Sequence, residues 1–215
     1  YDVTLSNFTG ASINAVTKSG TNEFTGSVNL QYGDESLSRD FDDFTNEIVS
    51  VTLGGPIIKD KLFFFLGYED TARSEVPNGT SVNPEFLDEV TEIANSVYGI
   101  DIGTRIAPSN FDDTKENILI KLDWLINENH RAAFTYNTNE DNQANIPNNG
   151  GSTASFSTRW YKDNFQKDAY SLNLYSDWSP NFTTELRLSR SDFDKNPLFS
   201  QNLPSVRIRT SDGGN

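Results

Sequence analysis

Residues 53–69 read LGGPIIKDKLFFFLGYE, and the way this stretch doubles back decides the architecture. Just before it, Val49, Val51 and Leu53 alternate with Ser50 and Thr52. After it begins to return, Leu62, Phe64, Leu66 and Tyr68 fall on one side. Successive strand side chains point to opposite faces, so each run is a strand with one apolar face. Proline lacks a backbone donor and has a fixed φ, so the chain is expected to turn at Gly55-Pro56 and return as 61–69. Phe63 and Phe65 lie on the opposite face of the returning strand. A neighbouring segment must cover those rings, or they would face water.

Upstream, residues 10–26 read GASINAVTKSGTNEFTG. Ser19-Gly20-Thr21-Asn22 has the residues of a tight turn. Together, the two runs resemble the plug-to-barrel junction and first periplasmic turn of TonB-dependent outer-membrane receptors, most closely the Oar-like branch. The resemblance implies that residues 1–22 are the end of a plug domain and that 23–215 begin a transmembrane β-barrel. It implies an active transporter for a bulky, scarce ligand. Such proteins capture the ligand with external loops and the plug apex. The TonB complex then energises uptake by pulling on a box near the plug's N-terminus, which would precede this chain. It does not say whether the ligand is a peptide, a glycan or a metal chelate.

The same alternation continues along the chain. Strands are expected over about 24–32, 47–54, 61–69, 116–126, 131–137, 167–178 and 183–193. Their connections alternate in length. Long ones fall at 33–46, 70–113 and 139–164, and short ones near Gly55, Asn127 and Pro180. Outer-membrane barrels place short turns at one end and long loops at the other. Trp124, Trp178, Tyr32, Tyr68, Phe134, Tyr136 and Tyr170 sit at or near strand ends, as rings at the headgroup level would. The fold class read from this is all-β: an antiparallel, up-and-down transmembrane barrel fragment of seven strands. A plugged barrel of about 22 strands would need more polypeptide beyond Asn215.

Within the long segment 70–113 the sequence predicts one helix. Asn83 is a good N-cap, Pro84 suits the first turn, and Gly99 marks the stop. Phe86, Val90, Ile93, Ala94 and Val97 recur at helical spacing, a stripe expected to pack on its own loop. The polar run 139–164 has no core-forming pattern and is expected to be a mobile loop. Residues 205–210 suggest a hairpin strand within a loop.

Composition narrows the function classes. The formal charge is -14, which disfavours nucleic acid as a partner. There is no Cys, hence no disulfide or thiol chemistry. No run of about 18 apolar residues offers a membrane helix, which leaves spanning strands open. The chain begins at Tyr1, contains no Met and ends in Ser-Asp-Gly-Gly-Asn, so it reads as an internal fragment.

No catalytic set, cofactor motif or metal-ligand spacing is expected. His130 is the single histidine and falls in a short turn, where it should be solvated. The acidic pairs Asp42-Asp43 and Asp112-Asp113 lack the repeated spacing of a Ca²⁺ loop. Lys121, Asp123, Arg131, Asp177, Glu185 and Arg187 are expected on the lumen side, paired with one another or with the plug. Two other readings fit the alternation: an outer-membrane adhesin, and a secreted glycan-binding β-sandwich with one solvated face.

Overall fold

The computed structural model describes residues 18–37, 44–75, 82–105, 112–147, 151–199 and 206–210. The part of the expected plug segment before Lys18, and the acidic pair Asp42-Asp43, lie outside these residues. The sequence alternation becomes a single seven-stranded antiparallel sheet. Its strands are β1 (Thr25–Asp34), β2 (Phe44–Ile58), β3 (Leu62–Glu75), β4 (Asp113–Asn127), β5 (His130–Asn145), β7 (Tyr161–Ser179) and β8 (Phe182–Phe199). They pair strictly in that order. A separate two-stranded sheet joins β6 (Thr153–Ser155) to β9 (Arg207–Arg209). One helix, α1 (Pro84–Tyr98), stands between β3 and β4. No described helix is long and apolar enough to cross a membrane.

All seven expected strands are present, but most run well past their expected ends. The run 139–164, expected to be a loop, is mainly strand: β5 continues to Asn145 and β7 starts at Tyr161. The two pair without a break from His130↔Ser176 to Asn145↔Tyr161. Alternation identifies a strand only where one face meets an apolar medium. Where both faces are wet, the backbone ladder can continue with no pattern to mark it.

The first turn also lies elsewhere than expected. Pro56 remains inside β2, opposite Phe63, with a bulge between Pro56 and Ile58. The reversal occurs at residues 59–61, where Asp60 takes a left-handed φ of 62°. The ladder to β1 stops at Thr25↔Gly54, so Pro56 has a strand neighbour on one side only. On such a local edge, the missing donor does not interrupt a ladder.

The helix forms as its caps predict. Asn83 Oδ1 accepts from the Glu85 N–H at 2.8 Å. Gly99 closes the helix at a φ of 63°, and the Ile100 N–H returns to Ala94 O at 2.9 Å.

Candidate functional site

The sheet has two chemically distinct faces. The even-numbered face of β1 carries Val28 and Leu30, which lie opposite Val51 and Val49 of β2, and Tyr32, which lies opposite Glu47. It continues through Ile118, Ile120 and Leu122, then Phe134, Leu172 and Leu188. Much of this face is uncovered: Leu30 is 70 % exposed and Leu188 53 %. No second sheet packs on it among the described residues. In water, so large an apolar band would be an aggregation surface; in a bilayer it is the required exterior.

The boundary of this band is sharp. Its last members are Tyr32, Val49, Tyr68, Ile118, Tyr136, Tyr170 and Leu188 on successive sheet strands. The next residues outward on the same face are Asp34, Glu47, Asp70, Glu116, Thr138, Asp168 and Arg190. Through the register, the Tyr32 level meets β3 at Ala72, whereas the Leu188 level meets it at Phe64. The edge therefore drifts by eight residues, 72 minus 64, across the six strand-to-strand steps from β1 to β8. At about 3.3 Å per residue and about 4.8 Å per step, the strands incline by roughly 40° to the boundary normal. That is the inclination of strands in transmembrane barrels.

Phenols along the boundary reach toward the wet side. Tyr68 donates to Glu116 at 3.2 Å, and Tyr136 donates to Asp168 at 2.8 Å while stacking on Tyr170 at 4.8 Å. At the other edge, the Trp178 indole N–H donates to Thr184 Oγ1 at 2.9 Å. Rings with one polar tip are held so that the tip leaves the hydrocarbon.

The opposite face is a polar wall. Ser27 and Thr52 hydroxyls meet at 2.7 Å, Ser50 donates to Glu69 at 3.2 Å, and Asn139 donates to Asn117 at 2.6 Å. The lumen charges expected from the sequence lie on this wall, and several pair there. Lys121 is 3.7 Å from Asp123, and Arg187 is 2.6 Å from Glu185. Arg131 instead lies over the Tyr175 ring, 4.2 Å from its centre. The Asp177 backbone N–H donates to Asn129 O at 2.8 Å, tying the end of β7 to the β4–β5 turn.

Residues 18–22 lie against this polar wall. Lys121 Nζ donates to Ser19 Oγ at 2.6 Å. A Cβ on Gly20 would collide with the Phe64 carbonyl oxygen. Phe65, one of the two rings that needed cover, is 8 % exposed. Its ring lies beside Gly54, which Gly20 also approaches.

Beyond the boundary, the strands continue outward and carry a cap. Leu87 of α1 is buried with Val82, Ile102, Ala154 and Phe156. Val90, Ala94, Val206 and Ile208 pack against this cluster. The cap thus draws on three segments far apart in sequence, and β6 pairs with β9 to bind two of them. The Trp160 indole donates to Ser155 Oγ at 3.2 Å, and the Ser157 N–H donates to Thr104 O at 2.7 Å.

The helix stripe expected to pack on its own loop therefore divides. Val90 and Ala94 face this shared core, but Phe86, Ile93 and Val97 remain exposed. Of the stretch expected as a hairpin strand, Arg207–Arg209 form β9, which pairs with β6 of another segment. Ala154, Phe156 and Trp160 were not expected in a core. Phe156 and Trp160 are bulky apolar residues in an otherwise polar run, which was the available signal.

His130 is not the solvated residue its turn position implied. Its ring packs 4.9 Å from the Trp178 ring, and its Nδ1 is buried without a hydrogen-bond partner among the described residues. Asp113 Oδ1 accepts from the Ala144 N–H at 2.6 Å, joining β4 to β5. Among the described residues, no group of three acidic or histidine side chains could hold a metal.

The comparisons agree with this geometry. Residues 16–93 match the family model described as "Outer membrane beta barrel domain". This is the architecture of a piece of an outer-membrane β-barrel, similar to that of TonB-dependent receptors. The chain is also similar to the "TonB-dependent transporter Oar" of Myxococcus xanthus, with 31% identity over 152 residues. That match covers 60% of this chain and 14% of the relative. No solved structure matches the chain. The barrel segment places the protein in the outer membrane, with β1–β5, β7 and β8 as part of the membrane-spanning wall.

Proposed function

We propose that this TonB-dependent-receptor-like segment belongs to an active transporter that takes up a bulky, scarce ligand and is energised by TonB. In this reading, residues 1–22 are the end of the plug and the following strands begin the barrel. The observation that supports it best is the contact of residues 18–22 with the polar wall. A segment docked on that wall is where a lumen-filling domain would join its barrel. The cap stands at the external end, where a ligand would first be met. The charged and amide-rich wall suits passage of a hydrated solute.

The test uses cells with and without the full-length gene, each with and without TonB. Solutes are followed as they disappear from the medium. A solute depleted only when both genes are present identifies the ligand. Equal depletion in all four strains rejects the transport reading.

An adhesin reading draws on a different observation, the exposed Phe86, Ile93 and Val97 on α1. It expects cell adhesion to depend on these residues and to be indifferent to TonB.

A further inference from the structure

Residues 18–24 are held to the wall by contacts of different kinds. Asn22 and Asp60 form a reciprocal clamp. The Asn22 Nδ2 donates to Asp60 Oδ1 at 2.6 Å, and the Asp60 N–H donates to Asn22 Oδ1 at 2.8 Å. Asp60 is the left-handed residue of the β2–β3 turn, a conformation uncommon for residues other than Gly but one that Asp adopts more readily than most. Asn22 bonds both its side chain and its backbone N–H, so the clamp serves the turn as well as the segment.

A second attachment is electrostatic. Lys121 reaches from β4 to Ser19 Oγ, and its side chain is only 13 % exposed. A third is steric: the Gly20 backbone lies directly on the carbonyls of Gly55 and Phe64, leaving no room for a Cβ. Between these points the segment is braced internally. Thr21 Oγ1 donates to Glu23 O at 3.1 Å and accepts from the Glu23 N–H at 3.3 Å. Phe24 then packs 6.3 Å from Phe64.

We propose that residues 18–24 form a fixed strap, which stays docked on the barrel wall throughout the working cycle. Any movement of the preceding polypeptide then hinges N-terminal to Lys18. This rests on the plug reading above. If that polypeptide is the plug, a pull on it is stopped at the strap and does not reach β1.

The full-length protein carrying Asn22→Cys and Asp60→Cys, with any other cysteine replaced by serine, tests this in cells. Uptake unchanged when the pair is oxidised supports the strap. Uptake lost on oxidation and recovered on reduction overturns it. Absence of uptake in wild type as well as variant means the transport reading has failed.

A second measurement does not depend on transport. The N-terminus of the full-length protein in membrane vesicles is pulled by atomic force microscopy. The strap expects a force peak where the unravelled chain reaches Lys18, lowered by Asn22→Ala and by Gly20→Val. Unravelling that runs into β1 with no such peak, or a peak unaffected by both substitutions, overturns it.

Discussion

The Phe24 ring occupies the space over Gly55. A Cβ on Gly55 would lie 2.8 Å from Phe24 Cε1 and 3.0 Å from Cγ. The ring just before β1 is thus seated on the bare backbone of β2. Gly55→Ala should push Phe24 off this seat at a cost of about 1–3 kcal/mol. Thermal unfolding of the detergent-folded full-length barrel measures this. Adding Phe24→Ala should remove most of the extra cost, because the two residues share one contact.

The two faces of β7 should respond oppositely to charge. Leu172 lies in the lipid band, in register with Phe134 and Leu188. Leu172→Arg should destabilise the barrel by about 2–4 kcal/mol. Asn173→Arg, on the polar wall, should be tolerated far better. Equilibrium unfolding in lipid compares the two, and equal effects would reject the face assignment.

The cap should loosen as a unit. Phe156 is buried against Leu87 and Ile102. Phe156→Ala should cost the cap about 3–5 kcal/mol. Hydrogen exchange should then accelerate in α1 and β9, which lie on other segments, while the wall strands keep their protection. Acceleration confined to residues near 156 would mean that the segments do not share one core.

The outer end of β1 should be acid-sensitive. The Ser36 hydroxyl and N–H both donate to Asp34 Oδ1, and they hold its carboxyl below the usual aspartate range. A depressed carboxylate stabilises the folded form above its unfolded pKa of about 3.9 and loses that contribution as the pH falls through the folded value. The turn at Glu35–Leu37 should therefore open only below the ordinary aspartate range. Asp34→Asn should loosen it at neutral pH. Amide exchange at Ser36 across acidic pH reports both.

Much of the wall is legible in the sequence. In the run from Glu116 to Ile126, even positions are apolar apart from Glu116 and odd positions are largely polar. Two-residue periodicity is enough to mark a half-buried strand. The caps of α1 were equally plain, because Asn83, Pro84 and Gly99 act through local backbone geometry. The outward extensions of β5 and β7 were hidden, since Asn139, Asp141 and Gln143 carry no apolar alternation. The Asn22–Asp60 clamp was hidden too, because its partners are 38 residues apart and both look like ordinary turn residues.

The sequence by itself determined which positions face lipid, where the chain reverses to within a few residues, and that α1 would form. These follow from side-chain alternation, proline and glycine chemistry, and capping, all of which act over short stretches. Only the tertiary structure decided how the band inclines, which distant segments share the cap core, and what holds residues 18–24. Those depend on register between strands and on contacts between residues far apart along the chain, which no local pattern encodes.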